Sequence, residues 1–84
     1  MYSHRFQLEV VITLHARERM VARNMDTEML LDIIETGVDK DAGAGHHWLY
    51  KTYPNRTDNL LCVAAVIDKV LVVKTVMHHW EPKP

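Results

Sequence analysis

The chain is expected to fold as one α+β domain spanning residues 1–84, with two N-terminal helices packed on a small antiparallel sheet of three to four strands. Three observations predict this. Two capped helical windows fall between residues 13 and 37, and three strand-like runs fill residues 46–79. Short polar turns join those runs, which suits a meander beside a separate helical layer. The order of elements shows no internal repeat.

Phe6, Leu8 and Val10 alternate, which reads as a short strand or extended lead-in. Thr13 can cap a first helix over residues 14–23. On that helix Leu14, Val21 and Met25 cluster in one direction, and Ala16 and Met20 lie at about 200–240° from Leu14. Asn24 and Met25 interrupt it. Asp26 or Thr27 can cap a second helix, and Glu28 suits its positive end. Met29, Leu30, Ile33, Ile34 and Val38 form its broad apolar face, opposite Glu28, Asp32 and Glu35, and Gly37 is the stop signal.

Residues 38–45, VDKDAGAG, read as a polar connection. A strand over residues 46–53 then places Trp48, Tyr50 and Thr52 on one side. Residues 54–58 suit a hairpin loop, and the apolar run at 59–67 a central strand covered on both faces. After a turn at Asp68 and Lys69, a last strand runs over residues 70–79. The tail Glu81-Pro82-Lys83-Pro84 cannot continue a sheet.

A chain of 84 residues buries about 60–65% of its unfolded surface, so its stability is modest or shared with a partner. Apolar residues at 48% and charged residues at 25% indicate a folded globular protein rather than a disordered one. The net charge of −1 confines any nucleic-acid surface to a local patch. One cysteine, Cys62, excludes an internal disulfide and a cysteine-built zinc site, and fits a reducing cytoplasm. The apolar stretches are too short to span a bilayer, and the first residues lack the features of a secretory signal.

His15, Arg19 and Arg23 stand at steps of four and share one cationic stripe of the first helix. An imidazole beside guanidiniums is suited to acid–base chemistry on a phosphate; a solvated helix face has the same composition. On the last strand, alternation puts Lys74, Val76 and His78 on one side and Thr75, Met77 and His79 on the other. A lysine in an apolar strand either faces water or reaches into a cleft, where a histidine beside it would make an anion site. Lys51 and Arg56, with Trp48 and Tyr50 nearby, could hold phosphates and stack bases; cross-strand aromatic packing is the commoner use. The pairs His46-His47 and His78-His79 point to opposite faces of a strand, and no metal site or other cofactor is expected. Cys62 lies inside an apolar run, where thiols are usually inert.

The run T-L-H-A-R-E-R-M-V-A-R-N-M, the acidic helix ending E-T-G and the strand ending V-V-K-T-V-M resemble a family of small bacterial domains. Its members open with a His-Ala-x-x-Arg-Met helix and are related to BrnT and, more distantly, to RelE-type toxins. The resemblance covers residues 12–79. It implies a RelE/barnase-like fold and a metal-independent endoribonuclease acting as the toxin of a toxin–antitoxin pair. RNA and a cognate antitoxin are then the partners. The positions that match the family signature are His15, Arg19 and Arg23 on the first helix, and Lys74 with Thr75 on the last strand. Compared with RelE proper, the chain lacks a strongly basic surface and a C-terminal tyrosine–arginine pair, which points away from ribosome-dependent cleavage.

In such an enzyme His15 or His78 would serve as acid or base, and Arg19, Arg23 and Lys74 would stabilise the transition-state charge. Arg23, Lys51, Arg56 and Thr75 would contact the substrate. The other reading is a non-catalytic interaction module, a homodimer or a partner-binding domain, on the same scaffold. The ribonuclease reading requires His15 and Lys74 to share a face.

Overall fold

A computed structural model describes residues 1–81; the expectation for the tail falls, over residues 82–84, outside the described residues. The elements follow in the order β1 (Tyr2–Ser3), β2 (Leu8–Ile12), α1 (Leu14–Ala22), α2 (Thr27–Thr36), β3 (Val38–Gly43), β4 (His46–Lys51), β5 (Leu61–Ile67) and β6 (Leu71–Met77). The class is α+β, but the expected sheet of three to four antiparallel strands, and with it the RelE/barnase-like layout, is overturned. The sheet has six strands in the order β1-β2-β6-β5-β4-β3 and is mixed.

Two segments account for the difference. VDKDAG, expected as a connection, is β3, the edge strand paired with β4. Nearly all of it is exposed, so it carries no apolar face to betray it, and its charges suit an unpaired edge. The lead-in is β2, which lies parallel to β6 through Val10–Leu71, Val11–Val72 and Ile12–Val73. A parallel pair needs a long crossover, and here α1 and α2 supply part of it. Nothing in the local pattern of either strand reveals its partner.

Thr13 begins α1 by accepting from the Ala16 amide at 3.1 Å. The same hydroxyl donates to the Val73 carbonyl at 3.0 Å, so the cap ties the helix to β6 and sets its rotation. Ala16 and Met20 face the core, at 0% and 5% exposed, while Leu14 and Val21 stand in solvent at 74% and 83%. The larger aliphatic residues thus lie on the outer side. The helix ends in a Schellman arrangement. Asn24 takes φ +53°, Met25 N–H donates to Met20 O at 2.9 Å, and Asn24 N–H to Val21 O at 3.2 Å. Met20 and Met25 are both buried beneath it.

Asp26 caps α2 through the Met29 amide at 2.8 Å, and Leu30, Ile33 and Ile34 are wholly buried. Those three side chains contribute roughly 6 kcal/mol by burial, against roughly 3 kcal/mol for Ala16 and Met20 of α1. α1 therefore depends more on its polar ties. Val38, expected on the α2 face, is exposed in β3.

Gly37 ends α2 for a reason other than a left-handed turn. Its φ is −71°, but a Cβ there would sit 2.5 Å from Ile33 O and 2.8 Å from Tyr50 O. Both atoms are backbone and cannot swing aside. Gly37→Ala is expected to lower stability by about 2 kcal/mol in a thermal melt, by forcing α2 away from β4.

On the helix-covered face Leu49, Leu61, Val63, Ala65, Leu71, Val73 and Val76 form the floor of the core. Val73 and Val76 both belong to it although three positions separate them. The register explains this: as β5 steps from Ala64 to Ala65, its partners on β6 step from Thr75 to Val73. Lys74 is the extra residue of a β-bulge, so the simple alternation expected for Lys74 and Thr75 does not hold.

Candidate functional site

Because β2 is parallel to β6 and α1 follows β2 directly, α1 runs beside the half of β6 that β2 leaves unpaired. Thr13 fixes the start of this seam, donating from its backbone to Val73 O at 3.3 Å and from its hydroxyl to Lys74 O at 3.3 Å. The next turn brings His15 Nε2 within 3.2 Å of Thr75 Oγ1, with the hydroxyl donating or accepting according to the imidazole tautomer. Lys74 sits on the adjacent bulge and is exposed, as are His15 and Arg19. The first helix and the Lys74–Thr75 segment are in direct contact through Thr13 and His15.

The far end of the seam is an open cavity of about 410 Å³, lined by Arg23, Asn24, Arg56, Asp58 and His78 among others. Arg56 and Asp58 form a two-pronged pair, Nε to Oδ1 and Nη2 to Oδ2, both at 2.8 Å. His78 Nδ1 lies 2.9 Å from Asp58 Oδ2. The Arg56 guanidinium, seconded by the imidazole, holds the Asp58 carboxyl well below the usual carboxylate range, and Asp58 in turn raises Arg56. Arg56 also donates to the last carbonyls of α1, Arg23 O at 2.5 Å and Asn24 O at 2.8 Å. Its role is to strap the helix end. Arg23 differs: its Nε is buried with no hydrogen-bond partner, an unsatisfied donor in a cationic group at the cavity wall.

Of the expected site residues, His15 meets Thr75 beside the backbone of Lys74, Arg23, Arg56 and His78 line one cavity, and Arg19 is exposed one turn after His15 on α1. Lys51 lies apart, on the helix-covered side, donating to Asp32 at 2.8 Å and Thr36 at 2.6 Å. Tyr53 also donates to Asp32. Lys51 and Tyr53 hold the Asp32 carboxyl below its ordinary range, while burial and then Asp32 push the Tyr53 phenol up. Trp48 and Tyr50 keep company with Trp80 instead, at ring centroid distances of 5.9 and 4.8 Å. Asp58 and Trp80 were not singled out from the sequence. Asp58 and His78 are 20 residues apart, and no local spacing announces their contact.

Cys62 is fully buried, and burial pushes its thiol up to about 12, which leaves it unreactive. His47 is engaged with Asp39 at 2.7 Å. His78 and His79 lie past the end of β6, where His79 takes φ +52° and the two rings meet tilted, at a centroid distance of 4.8 Å, rather than facing apart. Among the described residues no group of three or more His, Cys, Asp or Glu side chains is placed to hold a metal. Among the same residues, no helix is long and apolar enough to cross a membrane.

No curated protein and no solved structure matches the chain. Residues 12–78 match the family described as a domain of unknown function, DUF4258. The matched span begins on the last residue of β2 and ends on His78, so it takes in the whole seam.

Proposed function

The chain belongs to the DUF4258 family, and we propose that it is a metal-independent endoribonuclease of the toxin type, with the α1–β6 seam as its active site. The observation that carries the reading is the contact of His15 with Thr75, which seats an imidazole beside the bulged Lys74 and one turn from Arg19. His15 takes the proton of an RNA 2′-hydroxyl, and that oxygen attacks the neighbouring phosphorus. The bond to the 5′-oxygen breaks, a 2′,3′-cyclic phosphate forms, and His15 returns the proton to the departing oxygen. Thr75 orients the ring. Arg19 and Lys74 carry the charge added to phosphorus in the transition state.

Arg23 stands eight residues after His15, about 12 Å along the helix, and shares its cavity with His78. Arg23 and His78 then grip a phosphate further along the same strand. The cytoplasm is the proposed site of action, in keeping with a lone buried thiol.

The test is induced expression of the wild type beside His15→Ala and Arg19→Ala. Growth arrest with cyclic-phosphate RNA ends, relieved in both variants, is the expected result. Undamaged RNA with soluble wild-type protein accumulating would overturn the reading.

One observation favours a second role. Leu14 and Val21 lie seven residues apart on the outer side of α1, at 74% and 83% exposed, and Val11 precedes them at 46%. Such a strip suits a protein partner, an antitoxin or a second copy of the chain. If the chain is an interaction module alone, Val21→Asp abolishes its association in sedimentation while His15→Ala does not.

A further inference from the structure

We infer that the face of the sheet turned away from the helices seats an unpaired RNA base on Trp48 and Trp80, and delivers the attached phosphate to His15. The inference rests on the ribonuclease reading for its choice of RNA.

Directly paired residues of neighbouring strands project from the same face. Three cross-strand rows therefore make up the open face: Val38–Tyr50–Cys62–Met77, Lys40–Trp48–Ala64–Thr75, and His46–Val66–Val72–Val11. Trp80 folds back over the first two rows. Its ring is stacked on Trp48, at an interplanar angle of 25°, and tilted against Tyr50 at 42°. Lys40, Trp48, Trp80 and Glu81 line a cavity of about 280 Å³ there. Trp48 is partly buried rather than enclosed, so some of a large π-surface remains open to solvent.

The middle row connects this platform to the seam. Thr75, two strands from Trp48, is the residue that His15 contacts. Two strand spacings amount to about 9.5 Å, which is the reach of one nucleotide from its base to a flanking phosphate. The residue between them is Ala64, whose methyl group leaves a low floor. An aromatic shelf, a shallow trough and the contact of Thr75 with His15, next to the bulged Lys74 and one turn from Arg19, thus follow one another across the sheet. Charge and shape complement a single strand, whose base offers a π-face and whose backbone is anionic. A base within a duplex is covered on both faces by its neighbours and cannot lie on the shelf.

The chain has two tryptophans, and both belong to the platform, so selectively excited tryptophan fluorescence reports on it. The experiment titrates the non-cleaving His15→Ala protein with a short single-stranded oligoribonucleotide and with its duplex. Labelled-RNA anisotropy then compares Trp48→Ala, Trp48→Phe and Trp80→Ala in the same background. The expected result is quenching by the single strand and not by the duplex. Trp48→Ala weakens binding by about five- to a hundredfold, and Trp48→Phe largely retains it. Trp80 lies beyond β6, so Trp80→Ala carries the test if Trp48→Ala fails to fold. Unchanged affinity in both alanine variants, with wild-type cleavage intact, overturns the platform and leaves the ribonuclease standing. Stacking without cleavage by the wild type does the reverse. Loss of a homodimer on Trp48→Ala, with no RNA bound, shows that a second copy covers the face and overturns the inference.

Discussion

On the proposed ribonuclease reading, replacing His15 by alanine is expected to lower the rate of RNA cleavage by about 10²–10⁴-fold, with the melting temperature almost unaltered. The two halves of that result have separate causes. His15 is exposed on α1, and its hydrogen bond to Thr75 is a surface contact at 3.2 Å. Surface substitutions away from the core usually change stability by less than about 0.5 kcal/mol, and alanine is the better helix former. The fold therefore loses nothing that offsets the loss of the imidazole. Thr75→Val keeps the shape of the strand residue and removes the hydroxyl that orients the ring, so a smaller fall, about tenfold, is expected. Added imidazole should restore part of the activity to His15→Ala and none to Thr75→Val. An unaltered cleavage rate in His15→Ala would remove His15 from the mechanism.

The helical half of the seam was legible in the sequence because its parts are local. The step of four that aligns His15, Arg19 and Arg23 is a property of one helix, and Thr13 signals where that helix begins. What the sequence misplaced depends on tertiary pairing. The directions of Leu14 and Val21 and of Ala16 and Met20 do not say which side of α1 is buried; the Thr13 bond to Val73 turns Ala16 and Met20 inward. β3 escaped notice because an edge strand that buries nothing has no reason to alternate. Lys74 is itself the extra residue, between Val73 and Thr75, and a bulge leaves no mark on an apolar run. Lys51 and Arg56, expected to hold phosphates, are engaged by carboxylates instead, Asp32 through the fold and Asp58 across a turn.

Asp58→Ala is expected to be the most destabilising single change at the site, costing about 3 kcal/mol. α1 buries little, so its C-terminal end relies on the Arg56 bonds to Arg23 O and Asn24 O. Asp58 holds that guanidinium in place with two bonds and takes a third from His78. The Arg56 and Asp58 side chains are 17% and 18% exposed, so removing the carboxylate strands a largely enclosed cation. In a domain of this size the loss amounts to roughly 12–24 °C in melting temperature. The pH dependence has a definite sign. The Asp58 carboxyl titrates lower in the folded chain than in the unfolded one, as does Asp32. Its contribution is complete above the unfolded value of about 3.9 and drains away as pH falls toward the folded value. Asp58→Asn should flatten that acid limb and leave the share due to Asp32. Adding Arg56→Met to Asp58→Ala should recover part of the stability, since the stranded charge is then gone, yet not all of it, since the bonds to Arg23 O and Asn24 O are gone too. A cost below about 1 kcal/mol for Asp58→Ala would mean that packing of Ala16 and Met20 holds α1 without the strap. Arg23 and His78 would then keep their places whether or not Asp58 is present.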